Sequence, residues 1–142
     1  MKSKKQAPAP WLLFTVYCIC MLWLLFDREQ SAQSINLEPL RTIRLFVRVL
    51  LYDPNPYNNR LAIANLFGNI LLFIPLGYYL PRLWKSLRKW WTTWLMTLLI
   101  MTAVELAQLL TLRGTCDVDD LILNLLGAAI GYLVFCISKK DR

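Results

Sequence analysis

Long apolar runs constrain this chain more than any other feature. Residues 61–80 carry no charge, residues 90–112 carry only Glu105, and residues 121–137 carry none, with Asn124 their strongest polar group. Residues 11–26 form a fourth run. A helix needs about 20 apolar residues (roughly 17–25) to cross the hydrocarbon core, where backbone groups must bond internally. A shorter run is accommodated by snorkelling flanks and local thinning of the bilayer. The sequence therefore predicts an all-α membrane protein with four transmembrane helices, at about residues 11–26, 61–80, 90–112 and 120–138. A hydrophobic fraction of 57% excludes an ordinary soluble domain, and no linker or repeat divides the 142 residues, so a single membrane domain is expected.

The net charge of +7 is distributed as a topology signal, not as a nucleic-acid surface. Lys2, Lys4 and Lys5 precede the first run, Arg82, Lys85, Arg88 and Lys89 separate the second from the third, and Lys139, Lys140 and Arg142 follow the fourth. With four spans all three groups fall on one side, and basic loops stay in the cytoplasm. Both termini are thus expected inside, and the loops bearing Asp53 and Asp117, Asp119 and Asp120 outside. A basic start before an apolar stretch also describes a signal peptide, but DREQSAQ after Phe26 offers no small-x-small cleavage site, so a retained helix is expected.

Between the first two spans, residues 39–52 read as an amphipathic helix on the outer side. Leu40, Ile43, Val47 and Leu50 recur at helical spacing while Arg41, Arg44 and Arg48 form a separate stripe. Pro39 suits a first turn, with Asn36 or Glu38 as the cap. The helix is too short and too charged to span, so it lies on the membrane surface or packs across the bundle. Either way the arginines face lipid phosphates or other anionic partners. Asn58 or Asn59 is the expected cap of the second span. No histidine is present and the cysteines form no CxxC pattern, so a metal centre is not indicated.

The polar residues inside the spans gather at one depth. At about 1.5 Å per residue, Asn65 and Asn69 lie roughly 6 and 12 Å below the outer end of the second span. Glu105 and Gln108 lie roughly 12 and 8 Å beneath Arg113, and Asn124 roughly 6 Å below Asp120. Each pair is spaced to share a helix face. Gly127-xxx-Gly131 permits close helix contact, and Gly68 is expected to do similar work on the second span. Taken singly, these groups are interhelical glue, a neutral buried carboxyl or a helix cap. Together they predict one polar pocket open to the outer leaflet. Asn65, Asn69, Gln108, Arg113, Asp119 and Asn124 are its candidate binding residues. Glu105, Asp117 and Asp120 are candidates for acid–base work, because a desolvated and an exposed carboxyl have separated pKa values. The aspartates could instead hold a divalent cation such as Mg²⁺; the sequence names no other cofactor.

These residues also resemble the VanZ-like family of small bacterial membrane proteins, named for a teicoplanin-resistance protein. Asn36-Leu37-Glu38-Pro39-Leu40 with Thr42 and Ile43 is similar to the family's N-L-x-P-F-x-T-I element, with Leu40 in place of Phe. Asn65-Leu66-Phe67-Gly68-Asn69 through Phe73-Ile74-Pro75-Leu76-Gly77 resembles N-x-x-G-N…F-x-P-x-G, and Glu105 with Gln108 resembles E-x-x-Q. Arg113-Gly114 with Asp117, Asp119, Asp120, Asn124, Gly127 and Gly131 resembles R-G…D-x-D-D…N-x-x-G-x-x-x-G. The resemblance covers most of the chain and implies a multi-pass protein of the bacterial cell membrane, in a family linked to lower glycopeptide susceptibility.

The expected function is therefore binding of a cell-wall precursor or lipid-linked glycopolymer at the outer leaflet, lowering susceptibility to teicoplanin-type glycopeptides. Membrane lipids are expected partners, nucleic acid is not, and an oligomer is compatible with the sequence. The alternative is a membrane-embedded acid–base or metal-assisted enzyme acting on a lipid-linked envelope substrate. Transport ranks last, because the inner half of every span is apolar.

Overall fold

The computed structural model describes residues 8–27, 35–111 and 116–140. Four helices in it are long and apolar enough to cross a membrane: α1 (Pro8–Phe26), α3 (Pro56–Leu83), α4 (Trp90–Thr111) and α5 (Val118–Lys140). The amphipathic segment forms α2 (Arg41–Tyr52), and a 3₁₀ turn over Lys85–Leu87 joins α3 to α4. The expected all-α membrane fold is therefore present. Beside it lies a two-residue parallel bridge that the sequence reading did not anticipate, between β1 (Ile35–Asn36) and β2 (Cys116–Asp117).

Helices α3 and α5 run parallel and form the axis of the bundle. Their contact is backbone against side-chain-free backbone. A Cβ built on Gly127 would stand 2.1 Å from the carbonyl oxygen of Ile70, and one on Gly131 1.9 Å from that of Ile74. From the other side, a Cβ on Gly77 would stand 2.0 Å from the carbonyl oxygen of Ala128. In lipid, where hydrocarbon tails compete equally for apolar side chains, such close approach is what holds helices together. Gly68, expected to share this role, has open space where a Cβ would be, so the close approach on α3 belongs to Gly77.

Around the axis, α4 runs antiparallel and buries Thr93, Thr97, Met101, Val104 and Gln108, a stripe at helical spacing. The two threonine hydroxyls find carbonyls: Thr93 Oγ1 donates to Leu87 O at 2.6 Å, and Thr97 Oγ1 to Thr93 O at 2.9 Å. Helix α1 leans on α3 through Met21 and Leu25, and Tyr17 donates its hydroxyl proton to Leu72 O at 2.7 Å. The bundle thus has a polar end, where α2, α3 and α5 begin, and a basic end at the Lys85–Leu87 turn.

The start of α3 differs from expectation. Helix α3 begins at Pro56, with Asn55 as its cap accepting the N–H of Tyr57 at 3.0 Å. Asn58 and Asn59 instead close the preceding turn on Asp53, whose Oδ2 accepts from Asn58 Nδ2 at 2.7 Å and whose carbonyl accepts from Asn59 Nδ2 at 3.0 Å. The Asn55 N–H, and then the Asn58 amide, hold the Asp53 carboxyl below the usual carboxylate range. The stabilisation this turn gains from the ion is complete above that range and is lost only as the pH falls below it. Pro75 and Pro81 both lie inside α3, which continues past Pro81 to Leu83.

Gly131→Leu should force α3 and α5 apart and cost about 1–3 kcal/mol, read as a lower midpoint of thermal unfolding in detergent. Gly68→Ala should leave that midpoint unchanged or raise it, because alanine favours the helix over glycine by about 1 kcal/mol. Equal losses for the two substitutions would contradict the glycine axis.

Candidate functional site

The polar end is built on the first turn of α5. The first N–H groups of any helix lack intrahelical acceptors and carry the positive end of its dipole. At α2 the residue in the cap position is Leu40, which offers no side-chain acceptor. Asp119 of α5 supplies the cap from across the fold. Its carboxylate is wholly buried and accepts the backbone N–H groups of Leu40 at 2.5 Å, Thr42 at 2.7 Å and Ile43 at 3.0 Å. Asn36 and Glu38, expected as local caps of α2, do not serve. The sequence could not show this, because the capping carboxylate lies 77 residues from the Thr42 N–H it receives. Leu40 adopts a left-handed backbone with φ 66°, unfavourable by roughly 1–2 kcal/mol for a residue with a Cβ. The bond from its N–H to Asp119 offsets that cost.

Asp117 completes the attachment. Its Oδ2 accepts the Thr42 hydroxyl at 2.6 Å, and its Oδ1 accepts Asn36 Nδ2 at 3.0 Å and the Asp119 N–H at 2.9 Å. Asn36 Oδ1 in turn accepts the Glu38 N–H at 3.2 Å. The β1–β2 bridge runs beside these bonds and pairs Asn36 with Asp117. Most acceptor sites of both carboxylates are thus directed at α2 and its approach strand.

Asp120 faces α3 instead, where its Oδ1 accepts Asn69 Nδ2 at 2.6 Å. Asn69 is buried, and Asn124, one turn deeper on α5, is only 1% exposed. The Asn124 Oδ1 is enclosed and has no hydrogen-bond partner among the described residues. Glu105 is half-buried on α4, next to the buried Val104. The other two amides turn elsewhere. Asn65 bonds back to Leu61 O on its own helix at 2.9 Å, and Gln108 Nε2 donates to Leu25 O at the end of α1 at 2.7 Å. Arg113 lies outside the described residues.

Helix α2 packs through Ile43, Phe46, Val49 and Leu50, while Arg41, Arg44 and Arg48 stand exposed along the opposite ridge. Leu45, Val47, Leu51 and Tyr52 flank that ridge and are also exposed. For a divalent cation the fit is poor. No group of three acidic or thiol side chains converges among the described residues, and the donors already aimed at Asp117 and Asp119 are N–H and O–H groups that a cation would have to displace.

Asn36 and Thr42, Asn69, and the aspartates Asp117, Asp119 and Asp120 come from separate stretches of chain and are joined by hydrogen bonds around the start of α5. A family model, VanZ/LLP1, matches residues 14–139 and so takes in every one of them. The chain belongs to the VanZ/LLP1 family. Protein VanZ of Enterococcus faecium is 22% identical over 129 residues, which cover 90% of this chain and 74% of that protein. No solved structure matches the chain. With its four apolar helices, the VanZ/LLP1 assignment makes this a multi-pass bacterial membrane protein, in a family connected with glycopeptide resistance.

Asp119→Ala removes the buried acceptor of three backbone N–H groups. It should cost about 2–4 kcal/mol, the order for losing charge-assisted bonds and stranding their donors. The local readout is hydrogen exchange: the amides of Thr42 and Ile43 should lose protection while those of α4 keep theirs. Unchanged protection at Thr42 would refute the capping role.

Proposed function

We propose that the polar end faces out of the cell and binds the anionic, hydrogen-bonding head of a cell-wall precursor or lipid-linked glycopolymer, lowering susceptibility to teicoplanin-type glycopeptides. The observation that carries this reading is the enclosed Asn124 Oδ1, which has no hydrogen-bond partner among the described residues, beneath the Asn69–Asp120 pair. A buried polar atom of this kind calls for a donor from a ligand or an ordered water. Family membership supports the envelope role, and the exposed ridge of Arg41, Arg44 and Arg48 supports an anionic ligand.

In this reading the aspartates divide their labour. Asp117 and Asp119 hold α2 in place and so position the arginines. Asp120, Asn69, Asn124 and Glu105 form the floor against which a head group rests. The arginine ridge contacts its phosphates from above. Lys/Arg bias favours this orientation, with the Lys85–Leu87 turn in the cytoplasm.

Expression in a glycopeptide-susceptible host tests the reading directly. Whole cells should bind less fluorescent glycopeptide and tolerate more drug. Changing Arg41, Arg44 and Arg48 together to Gln should abolish most of that difference without affecting insertion. Glu105→Gln and Asp120→Asn should each reduce protection severalfold. A near-total loss in both variants, with folding intact, would instead favour the acid–base enzyme. Unchanged drug binding in cells bearing the wild-type protein would refute the proposal.

Sidedness is tested separately with a membrane-impermeant maleimide on a cysteine-free background. Tyr52→Cys should label in intact cells, and Lys85→Cys only after permeabilisation. The reverse pattern would place the arginine ridge in the cytoplasm.

A further inference from the structure

The basic end holds an open apolar groove of about 340 Å³ that the reading of the polar end does not use. Its walls are Phe14 of α1, Leu80 of α3, Trp84 just past the end of α3, Leu87 of the 3₁₀ turn, and Met96 and Ile100 of α4. Ser86 is the polar residue at its margin. We propose that this groove takes one acyl chain of an anionic membrane phospholipid, with the phosphate of its head group held at Lys85, Ser86 and Arg88.

The walls are fixed, so the groove does not close by collapse. Trp84 is braced edge-on by Trp11 at 5.1 Å and by Phe14 at 5.5 Å between ring centroids. The turn is tied on both sides: Thr93 Oγ1 donates to Leu87 O at 2.6 Å, and the Tyr132 hydroxyl of α5 donates to Arg88 O at 2.9 Å. A rigid apolar surface left without neighbours forfeits dispersion contacts, and a lining this poor in polar groups does not hold water well. A hydrocarbon chain satisfies both conditions.

Charge selects the head group. Of the four cations around this turn, Arg82 is engaged by α3 itself, with Nη1 donating to the Tyr78 hydroxyl at 2.6 Å and its guanidinium over the Tyr78 ring at 5.3 Å. Lys89 lies over the Trp91 ring at 5.8 Å. Lys85 and Arg88 are exposed and flank, in the chain, Ser86 and Leu87, which line the groove. A zwitterionic head group places a cation of its own beside them, whereas an anionic one does not, and basic residues at the membrane surface select anionic lipid in this way. This inference is independent of what binds at the polar end.

Native mass spectrometry of the full chain, exposed to equimolar phosphatidylglycerol and phosphatidylcholine in detergent, tests it. The monomer should retain phosphatidylglycerol in clear preference. The double substitution Lys85→Gln, Arg88→Gln, confined to exposed positions, should lower that preference by roughly fivefold for each cation while leaving some lipid of both kinds bound. Ile100→Trp, which fills the groove, should reduce retention of both lipids together. Equal retention of the two lipids by the wild-type chain would overturn the proposal. So would an unchanged preference in the double variant, or a lipid-free dimer in which a second copy covers the groove.

Discussion

The register between α3 and α5 decides where every other part of the molecule sits. Three glycines let the two backbones meet: Gly127 over Ile70, Gly131 over Ile74, and Gly77 against Ala128. Hydrocarbon gives little reason for one apolar helix to prefer another over lipid, so backbone proximity and interhelical hydrogen bonds must supply the specificity. Because these contacts set the axial position of α5, they also bring Asp120 to Asn69 and leave Asp119 facing the start of α2. A shift of one residue would turn both carboxylates away from their donors.

From this axis the polar end follows as a chain of dependencies. Asp119 caps α2, Asp117 holds Thr42 and Asn36, and α2 then presents its arginines on the ridge away from α3. A negative side chain buried without bonds would be prohibitive, and a helix start without acceptors would fray. Each requirement satisfies the other. The acidic cluster that reads as reactive in the linear sequence is therefore, for Asp117 and Asp119, largely an attachment device. Asp120, Glu105, Asn69 and Asn124 remain as the groups around which a ligand-binding role is framed.

The two ends of the bundle pose different chemical problems. At the polar end, amides and carboxylates are joined by hydrogen bonds around the start of α5, which also caps the helix that carries the arginines. At the basic end, aromatic and aliphatic walls stand beneath exposed cations. Both arrangements suit amphiphilic molecules, which present a charged head and an apolar tail across a short distance.

The sequence by itself determined the helices that matter most. Apolar runs of membrane-spanning length leave a chain little alternative to a helix, and residues 61–80, 90–111 and 121–137 all fall within the apolar helices α3, α4 and α5. The amphipathic pattern of α2 and the close contact at Gly127 and Gly131 were legible for the same reason, since local periodicity places side chains on faces. The partners of those faces were not legible. That Gly77 and not Gly68 meets α5, that Gln108 turns to α1, that Asn65 bonds to its own helix, and that the cap of α2 comes from Asp119 are all outcomes of how separate helices align. Hydrogen bonds between residues tens of positions apart leave no periodic trace in a single chain; only the packed backbone decides which donor meets which acceptor.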